Sequence, residues 1–143
     1  METWNNLDTS LINSPSVSFL KKKLYTKPTS TTHNFFKYSL PRKLNIILTQ
    51  IRNNASNLNG DKFKDHLIEN SSCECGFVNE NAHHFFFDCP LYNNHRHILI
   101  PISNICNIVS VKLLVHGDVN LSDDNNTFIL DSVSNYINLS NRF

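Results

Sequence analysis

The amino-acid sequence predicts an all-α protein built from short helices, and three observations support this prediction. Apolar residues recur at the i, i+3, i+4, i+7 spacing of an amphipathic helix in several stretches. No stretch shows the alternation of apolar and polar residues that is typical of a half-buried strand. Serine, proline and glycine lie near the ends of the periodic stretches, where helices start and stop. With 143 residues, the chain has room for one small domain.

The first predicted helix begins at Ser14 and Pro15, an N-cap residue followed by proline at the first helical position. Apolar residues at helical spacing follow, and the helix ends in a run of lysines that suits the negative end of the helix dipole. We therefore expect a helix within residues 1–25, a polar linker over residues 26–40 and a helical C-terminal domain over residues 41–143.

Two helices are predicted at the start of the C-terminal domain. The first begins near Pro41, and its apolar positions match the amphipathic template: Leu44, Ile47, Leu48 and Ile51. A run of asparagines and Gly60 then interrupts the pattern. A short second helix is predicted from Asp61 to Glu69, with three side chains facing the core: Phe63, Leu67 and Ile68.

Similar spacing predicts four more helices, over residues 80–88, 91–99, 104–115 and 124–140. Gly117 suits a helix C-cap position, and the pair Asp123 and Asp124 suits the N-cap of the last helix. Cys106 lies in an apolar helical run and is predicted to be a core residue. One face of the last helix carries Ile129, Val133, Tyr136, Ile137 and Ser140.

Three of the four cysteines lie close together in the sequence, in a block that also contains two histidines. The block reads Cys-x-Cys-x8-His-x4-Cys, with Cys73, Cys75, His84 and Cys89 as the candidate metal ligands. Zinc prefers four soft or borderline ligands in a tetrahedron, and Cys3His is a common structural set. His83 competes with His84, but only His84 has the x4 spacing to Cys89 that is found in retroviral-type zinc knuckles.

Two other interpretations of the Cys/His block stay open at this point. In one alternative, the cysteines are small buried thiols that bind no metal, and His84 packs beside them or caps a helix. A disulfide is the third interpretation, which a reducing compartment disfavours.

Charge is distributed unevenly along the chain. Residues 1–60 hold eight Lys and Arg against two acids, whereas residues 61–143 hold five against ten. A basic first half is suited to phosphate backbones, although a solvated helix end has the same composition. The side chains predicted to contact RNA or DNA are Lys21, Lys22, Lys23, Arg42, Lys43 and Arg52.

Several classes of function are disfavoured by the sequence. The apolar runs are too short for a transmembrane helix, and the first twenty residues lack a signal pattern, so a cytoplasmic or nuclear location without a membrane partner is expected. The sequence contains no Gly-rich phosphate loop, nucleophile elbow or His-Glu-x-x-His motif. We therefore expect neither an enzyme nor a small-molecule substrate.

Four segments carry a resemblance to a known family. They are Trp4-Asn5-Asn6-Leu7, Ile12-Asn13-Ser14-Pro15-Ser16, the Cys/His block with Cys89-Pro90-Leu91-Tyr92 and Arg96, and Leu114-Val115-His116-Gly117-Asp118. They resemble the region after the reverse transcriptase core of LINE-type retrotransposons, which lack long terminal repeats. The resemblance extends to Ser140-Asn141-Arg142-Phe143 and covers nearly the whole chain.

The resemblance implies a C-terminal piece of a retrotransposon polyprotein, separated from its polymerase. The family's aromatic-x-Asp-Asp catalytic motif lies upstream of the matched region and is not in this chain. The implied function is a nucleic-acid-binding accessory domain with one zinc ion. Two alternatives stay open: an inert remnant of a decayed element, and a domesticated protein-interaction module.

Overall fold

The structure, a computed structural model, describes residues 40–143. Within these residues the chain forms seven helical segments and no β-strand. The predicted all-α fold class is therefore confirmed for these residues. The predicted helix within residues 1–25, nearly all of the linker over residues 26–40, and the lysines at positions 21–23 lie outside the described residues.

Helix α1, Arg42–Arg52, forms as the sequence predicts. Its four buried residues are the four that the apolar spacing selects: Leu44, Ile47, Leu48 and Ile51. The Pro41 carbonyl accepts a 3.1 Å hydrogen bond from the Asn45 amide, so the proline precedes the first helical turn without breaking it. The buried face of α1 packs against helix α3, Val111–His116.

Helix α2, Asn59–Lys64, is shorter than the helix predicted from Asp61 to Glu69, and it buries a different face. Phe63 and Leu67 are exposed, at 46% and 71% of their surface, so the prediction that they face the core is wrong. The buried residues of α2 are Gly60 and Asp61. The Asp61 carboxylate accepts hydrogen bonds from the Ser56 amide (3.1 Å) and hydroxyl (2.6 Å), which turns this polar side of the helix inward.

The predicted helices over residues 80–88 and 91–99 form with a different pitch. A π-helix covers His84–Asp88, and a 3₁₀ helix covers Pro90–Ile98. The Cys89 amide donates to the His84 carbonyl at 2.8 Å, five positions back as in a π-helix, and Pro90 has no amide to continue the pattern. This segment places Phe85 at the centre of the core.

Of the predicted helix over residues 104–115, only the last five residues are α-helical, in α3. A 3₁₀ helix ends at Asn104 (Ile100–Asn104), residues 106–110 are not helical, and α3 begins at Val111. Ser110 caps α3 by accepting the Leu113 amide at 3.2 Å. Cys106 therefore lies in a loop, only partly buried, and the prediction that it is a helical core residue is wrong.

Helix α4, Asp123–Ser140, is the longest of the described helices. Its N-cap is Ser122, which accepts the Asn125 amide at 3.2 Å, so the two aspartates predicted as the cap occupy the first turn instead. The predicted face is buried at Ile129, Val133, Tyr136 and Ile137, and Ser140 is half-buried. Helix α4 packs against α3 and against the 3₁₀ helix Pro90–Ile98.

The core of the described residues is centred on Phe85. Its ring makes edge contacts with four other aromatic rings, at centroid distances between 4.9 and 5.3 Å: Phe86, Tyr92, Tyr136 and Phe143. Such edge-to-face pairs add to the free energy of apolar burial. No helix within residues 40–143 combines the length and the apolarity that a membrane crossing requires.

Candidate metal centre

Four side chains from the Cys/His block meet at one point. The ligand atoms of Cys73, Cys75, His84 and Cys89 all lie within 4.8 Å of one another. The sulfur atoms of Cys73 and Cys89 are 3.6 Å apart, and the Cys75 sulfur is 3.3 Å from His84 Nε2. Three of the four residues are buried, and Cys75 is half-buried.

These distances fit the edges of a tetrahedral metal site. With zinc–sulfur bonds of about 2.3 Å, neighbouring sulfur atoms of a tetrahedron lie roughly 3.8 Å apart, and sulfur and nitrogen roughly 3.6 Å apart. The 3.6 Å and 3.3 Å separations are slightly below those values. These two edges are therefore close to those of a tetrahedral zinc site, and every other separation between donor atoms is at most 4.8 Å.

A tight turn brings the first two cysteines together in spite of their one-residue spacing. The Gly76 amide donates to the Cys73 carbonyl at 2.9 Å, and the Cys73 amide donates to the Phe77 carbonyl at 2.8 Å. Gly76 has a φ of 93°, a left-handed conformation that side chains oppose. The glycine thus lets the backbone reverse just after Cys75.

His84 is positioned by three neighbours. Its amide donates to the Asn81 side chain at 2.9 Å, its carbonyl accepts the Cys89 amide, and its ring stacks on Phe77 at 4.4 Å and 6°. The ring nitrogen Nδ1 is buried and has no hydrogen-bond partner among residues 40–143. The other ring nitrogen, Nε2, faces the Cys75 sulfur, so it is the atom that this imidazole can offer to a metal ion.

The structure separates the two candidate histidines. His83 is exposed and directs Nδ1 to the Asp88 carboxylate at 2.9 Å, outside the cysteine group. His84 is buried within it. The x4 spacing to Cys89 therefore selects the histidine that the fold brings to the cysteines.

Burial shifts the pKa values of three of the four residues in the direction of neutral groups. The pKa of Cys75 is instead lowered, because its desolvation is outweighed by hydrogen bonds to the Phe77 backbone and the other two thiols. Desolvation raises the pKa of the Cys73 thiol to about 12 and raises the pKa of Cys89. Desolvation also lowers the pKa of His84. Metals bind thiolates and neutral imidazole. A bound cation would therefore displace the protons of the protonated thiols, whereas the neutral His84 ring would bind without losing a proton.

All four cysteines of the chain lie within the described residues, and all are free thiols. The disulfide interpretation is therefore not what the structure contains. Cys106 is not a member of the Cys3His group. The interpretation as buried thiols alone accounts for the burial, but not for the convergence of an imidazole nitrogen with three sulfur atoms.

The three predicted nucleic-acid contacts within the described residues do not share one place. Arg42 and Lys43 are exposed at the start of α1, and Arg52 lies at its end, about 15 Å along the helix axis. Arg52 is half-buried, and its Nε donates to the Val115 carbonyl at 2.5 Å. Burial lowers the pKa of Arg52, and the side chain joins α1 to α3.

Sequence reasoning missed three residues that support the site. Arg96 donates to the carbonyls of Phe86 (3.0 Å) and Cys89 (2.6 Å), which holds the backbone on both sides of the last ligand. Buried Glu80 and half-buried Arg142 form an ion pair behind Cys73, 62 residues apart in sequence. The resemblance includes Arg96 and Arg142, but no spacing rule connects them to the cysteines.

Comparisons with protein-family models, with curated proteins and with solved structures found no match to this chain. The resemblance to LINE-type retrotransposons therefore stays a prediction from the sequence.

Proposed function

We propose that this chain is a non-catalytic helical module, held together by one structural zinc ion, that binds nucleic acid as an accessory domain of a LINE-type retrotransposon reverse transcriptase. Its zinc ligands are Cys73, Cys75, His84 and Cys89. One observation carries the zinc site: four donor atoms lie within 4.8 Å of one another.

The donor set favours zinc and a structural role. Three thiolates with one imidazole form a soft set that suits Zn²⁺ better than Mg²⁺ or Ca²⁺, which take oxygen ligands. Four protein ligands complete a tetrahedron, whereas catalytic zinc sites keep one position for water or substrate. The same set therefore favours a structural over a catalytic zinc ion.

The metal content of the purified protein tests the zinc site. We expect about one equivalent of zinc per chain, measured by mass spectrometry of the metal, and a loss of that zinc in Cys75→Ser and Cys89→Ser. The matched control is Cys106→Ser, because this cysteine lies outside the group. A wild-type protein without metal after zinc reconstitution would contradict the zinc site.

Two features support the nucleic-acid role. The first is the resemblance, and the second is the pair of exposed cations at the start of α1, Arg42 and Lys43, which follow the basic first part of the chain. Lysine and arginine that neutralise phosphates make binding depend steeply on salt, with a slope of about 0.7 to 0.9 per contact in a double-logarithmic plot.

Fluorescence anisotropy with a structured RNA tests this role. We expect binding that weakens with salt, and a smaller salt slope in the double variant Arg42→Ala with Lys43→Ala. Lys112→Ala is the control, because Lys112 is also exposed but lies on α3. No affinity at low salt would contradict the nucleic-acid role and would leave the zinc site intact.

A further inference from the structure

We infer that Arg142 is a positioning residue of the metal centre, which orients the Glu80 carboxylate and offsets its negative charge beside the Cys73 sulfur. This inference rests on the proposed zinc site. The inference gives the segment after α4 a role in metal binding, although this segment is far from the cysteines in sequence.

The Glu80 carboxylate is almost fully buried, with 1% of its surface exposed. Arg142 binds both of its oxygens, with Nε at 2.7 Å from Oε1 and Nη2 at 2.5 Å from Oε2. The Asn59 amide donates to Oε2 at 2.8 Å. A buried carboxylate with a bidentate guanidinium partner is stable, but the same carboxylate without that partner is strongly destabilising.

Glu80 Oε1 also lies 3.9 Å from the Cys73 sulfur. With a metal bound, the three cysteines carry three negative charges and Zn²⁺ carries two positive charges, so the cage is negative before Glu80 is counted. The carboxylate adds a second negative charge at close range. Arg142 offsets it, and this is the only arginine or lysine with a salt bridge to Glu80 among the described residues.

Arg142 is itself held in place by its surroundings. Its Nη2 donates to the Asn57 carbonyl at 3.2 Å and lies 3.5 Å from Asn59 Oδ1. The neighbouring Phe143 ring packs edge-on against Phe85, one residue from the His84 ligand. The guanidinium is therefore held in position by contacts with residues other than the four metal-ligand candidates.

Zinc affinity measured by competition with a chromophoric chelator tests the inference, at a temperature where each variant is folded by circular dichroism. We expect Arg142→Ala to lower the affinity about 10- to 100-fold, as for other residues that support metal ligands. Lys112→Ala is the matched control and should bind zinc as the wild type does. An unchanged affinity in Arg142→Ala overturns the inference.

A double variant separates the charge effect from a general loss of structure. Glu80→Gln with Arg142→Ala removes both charges, so we expect it to recover most of the affinity that Arg142→Ala loses. If the double variant binds zinc as weakly as Arg142→Ala or more weakly, Arg142 acts only through packing and the inference is wrong. Should Arg142→Ala fail to fold, Arg142→Lys takes its place, because it keeps the charge and loses the bidentate geometry.

Cobalt substitution provides a second measurement that packing alone would not change. The intensity of the sulfur-to-cobalt charge-transfer band reports how many thiolates bind the ion. We expect the band to weaken in Arg142→Ala, because Cys73 beside an unpaired carboxylate is the least favourable thiolate. A band of wild-type intensity in Arg142→Ala would overturn the inference, whereas a wild-type protein that binds neither cobalt nor zinc would instead contradict the proposed function.

Discussion

Tyr136 shows how one side chain connects segments that are distant in sequence. The residue is fully buried on α4, and its hydroxyl donates a 2.6 Å hydrogen bond to the Phe85 carbonyl in the π-helix. Its ring also packs against the rings of Phe85 and Phe86. The residues next to the His84 ligand are therefore anchored to the longest described helix.

We expect Tyr136→Phe to lower the free energy of unfolding by about 1–3 kcal/mol, because the substitution leaves the Phe85 carbonyl buried without its partner. Chemical denaturation of the zinc-loaded protein measures this change. Tyr92→Phe is the control, since no hydrogen bond is formed by the Tyr92 hydroxyl within residues 40–143. Equal effects of the two substitutions would contradict the assigned role of the hydroxyl.

The raised pKa of Tyr136 leads us to expect that the stability of the protein depends on pH in the alkaline range. Burial raises the pKa of Tyr136 to about 12 from an ordinary value of 10. The unfolded chain thus ionises first, and the stability associated with the neutral phenol is present below pH 10 and is lost as the pH rises to about 12. The difference in stability between wild type and Tyr136→Phe should shrink over this interval. A difference that stays constant would contradict the shift.

At the scale of the element, the buried face of α2 is determined by the residues that pack against it rather than by the apolar periodicity of the helix. The Gly60 amide donates to the Glu80 carbonyl at 2.9 Å. A Cβ at Gly60 would lie 2.6 Å from Asn79 Oδ1 and 2.7 Å from the Glu80 carbonyl oxygen. The backbone of residues 79–80 thus covers the side of α2 that Gly60 occupies, and larger side chains such as Phe63 are on the outside.

Two effects of opposite sign compete in Gly60→Ala. Alanine is the better helix former by about 1 kcal/mol, whereas crowding in a packed interior costs about 1–3 kcal/mol. Because one of the two close atoms is a backbone oxygen, which cannot rotate away, we expect the substitution to destabilise the protein. Lys64→Ala, on the exposed side of α2, should change the stability by less than about 0.5 kcal/mol. Thermal unfolding measures whether Gly60→Ala lowers or raises the stability. A stabilised Gly60→Ala would contradict the close packing of Gly60 against residues 79–80.

At the scale of the whole molecule, the metal centre and the core are continuous. Cys73 and Cys89 belong to the same buried cluster as Phe85 and the apolar faces of α1 and α4. Around Cys73 to Glu80 the backbone is loop, so few regular hydrogen bonds hold these residues without an ion. A structural zinc ion supplies free energy of folding directly, on the order of 10 kcal/mol in small zinc modules.

Removal of the metal should therefore destabilise the entire domain. We expect a strong chelator to lower the thermal midpoint sharply and added zinc to restore it, because the zinc contribution is comparable to the whole stability of a small domain, about 5–15 kcal/mol. Calorimetry with and without chelator measures the effect, and Cys106→Ser should respond as the wild type does. An unchanged midpoint in protein shown to be metal-free would mean that the cluster is buried thiol.

The periodic helices could be predicted because their information is local. In α1 and α4 the apolar spacing alone selects the buried face, and the x4 spacing selects His84 over His83. The type of helix was harder to predict from the sequence. The segment that begins at His84 has helical periodicity but adopts π and 3₁₀ turns, because Pro90 interrupts the regular pattern of backbone hydrogen bonds.

By itself, the sequence determined the all-α class and the faces of the strongly periodic helices, because each depends on residues within a few turns of one another. It also singled out the four residues that converge, without deciding between a metal site, buried thiols and a disulfide. Only the tertiary structure decided which side of α2 is buried, that Cys106 lies in a loop and that Arg52 joins α1 to α3. It also decided that Arg142 binds Glu80 behind Cys73. Contacts of this kind link residues tens of positions apart, so their partners are selected by packing and charge compensation rather than by any local pattern.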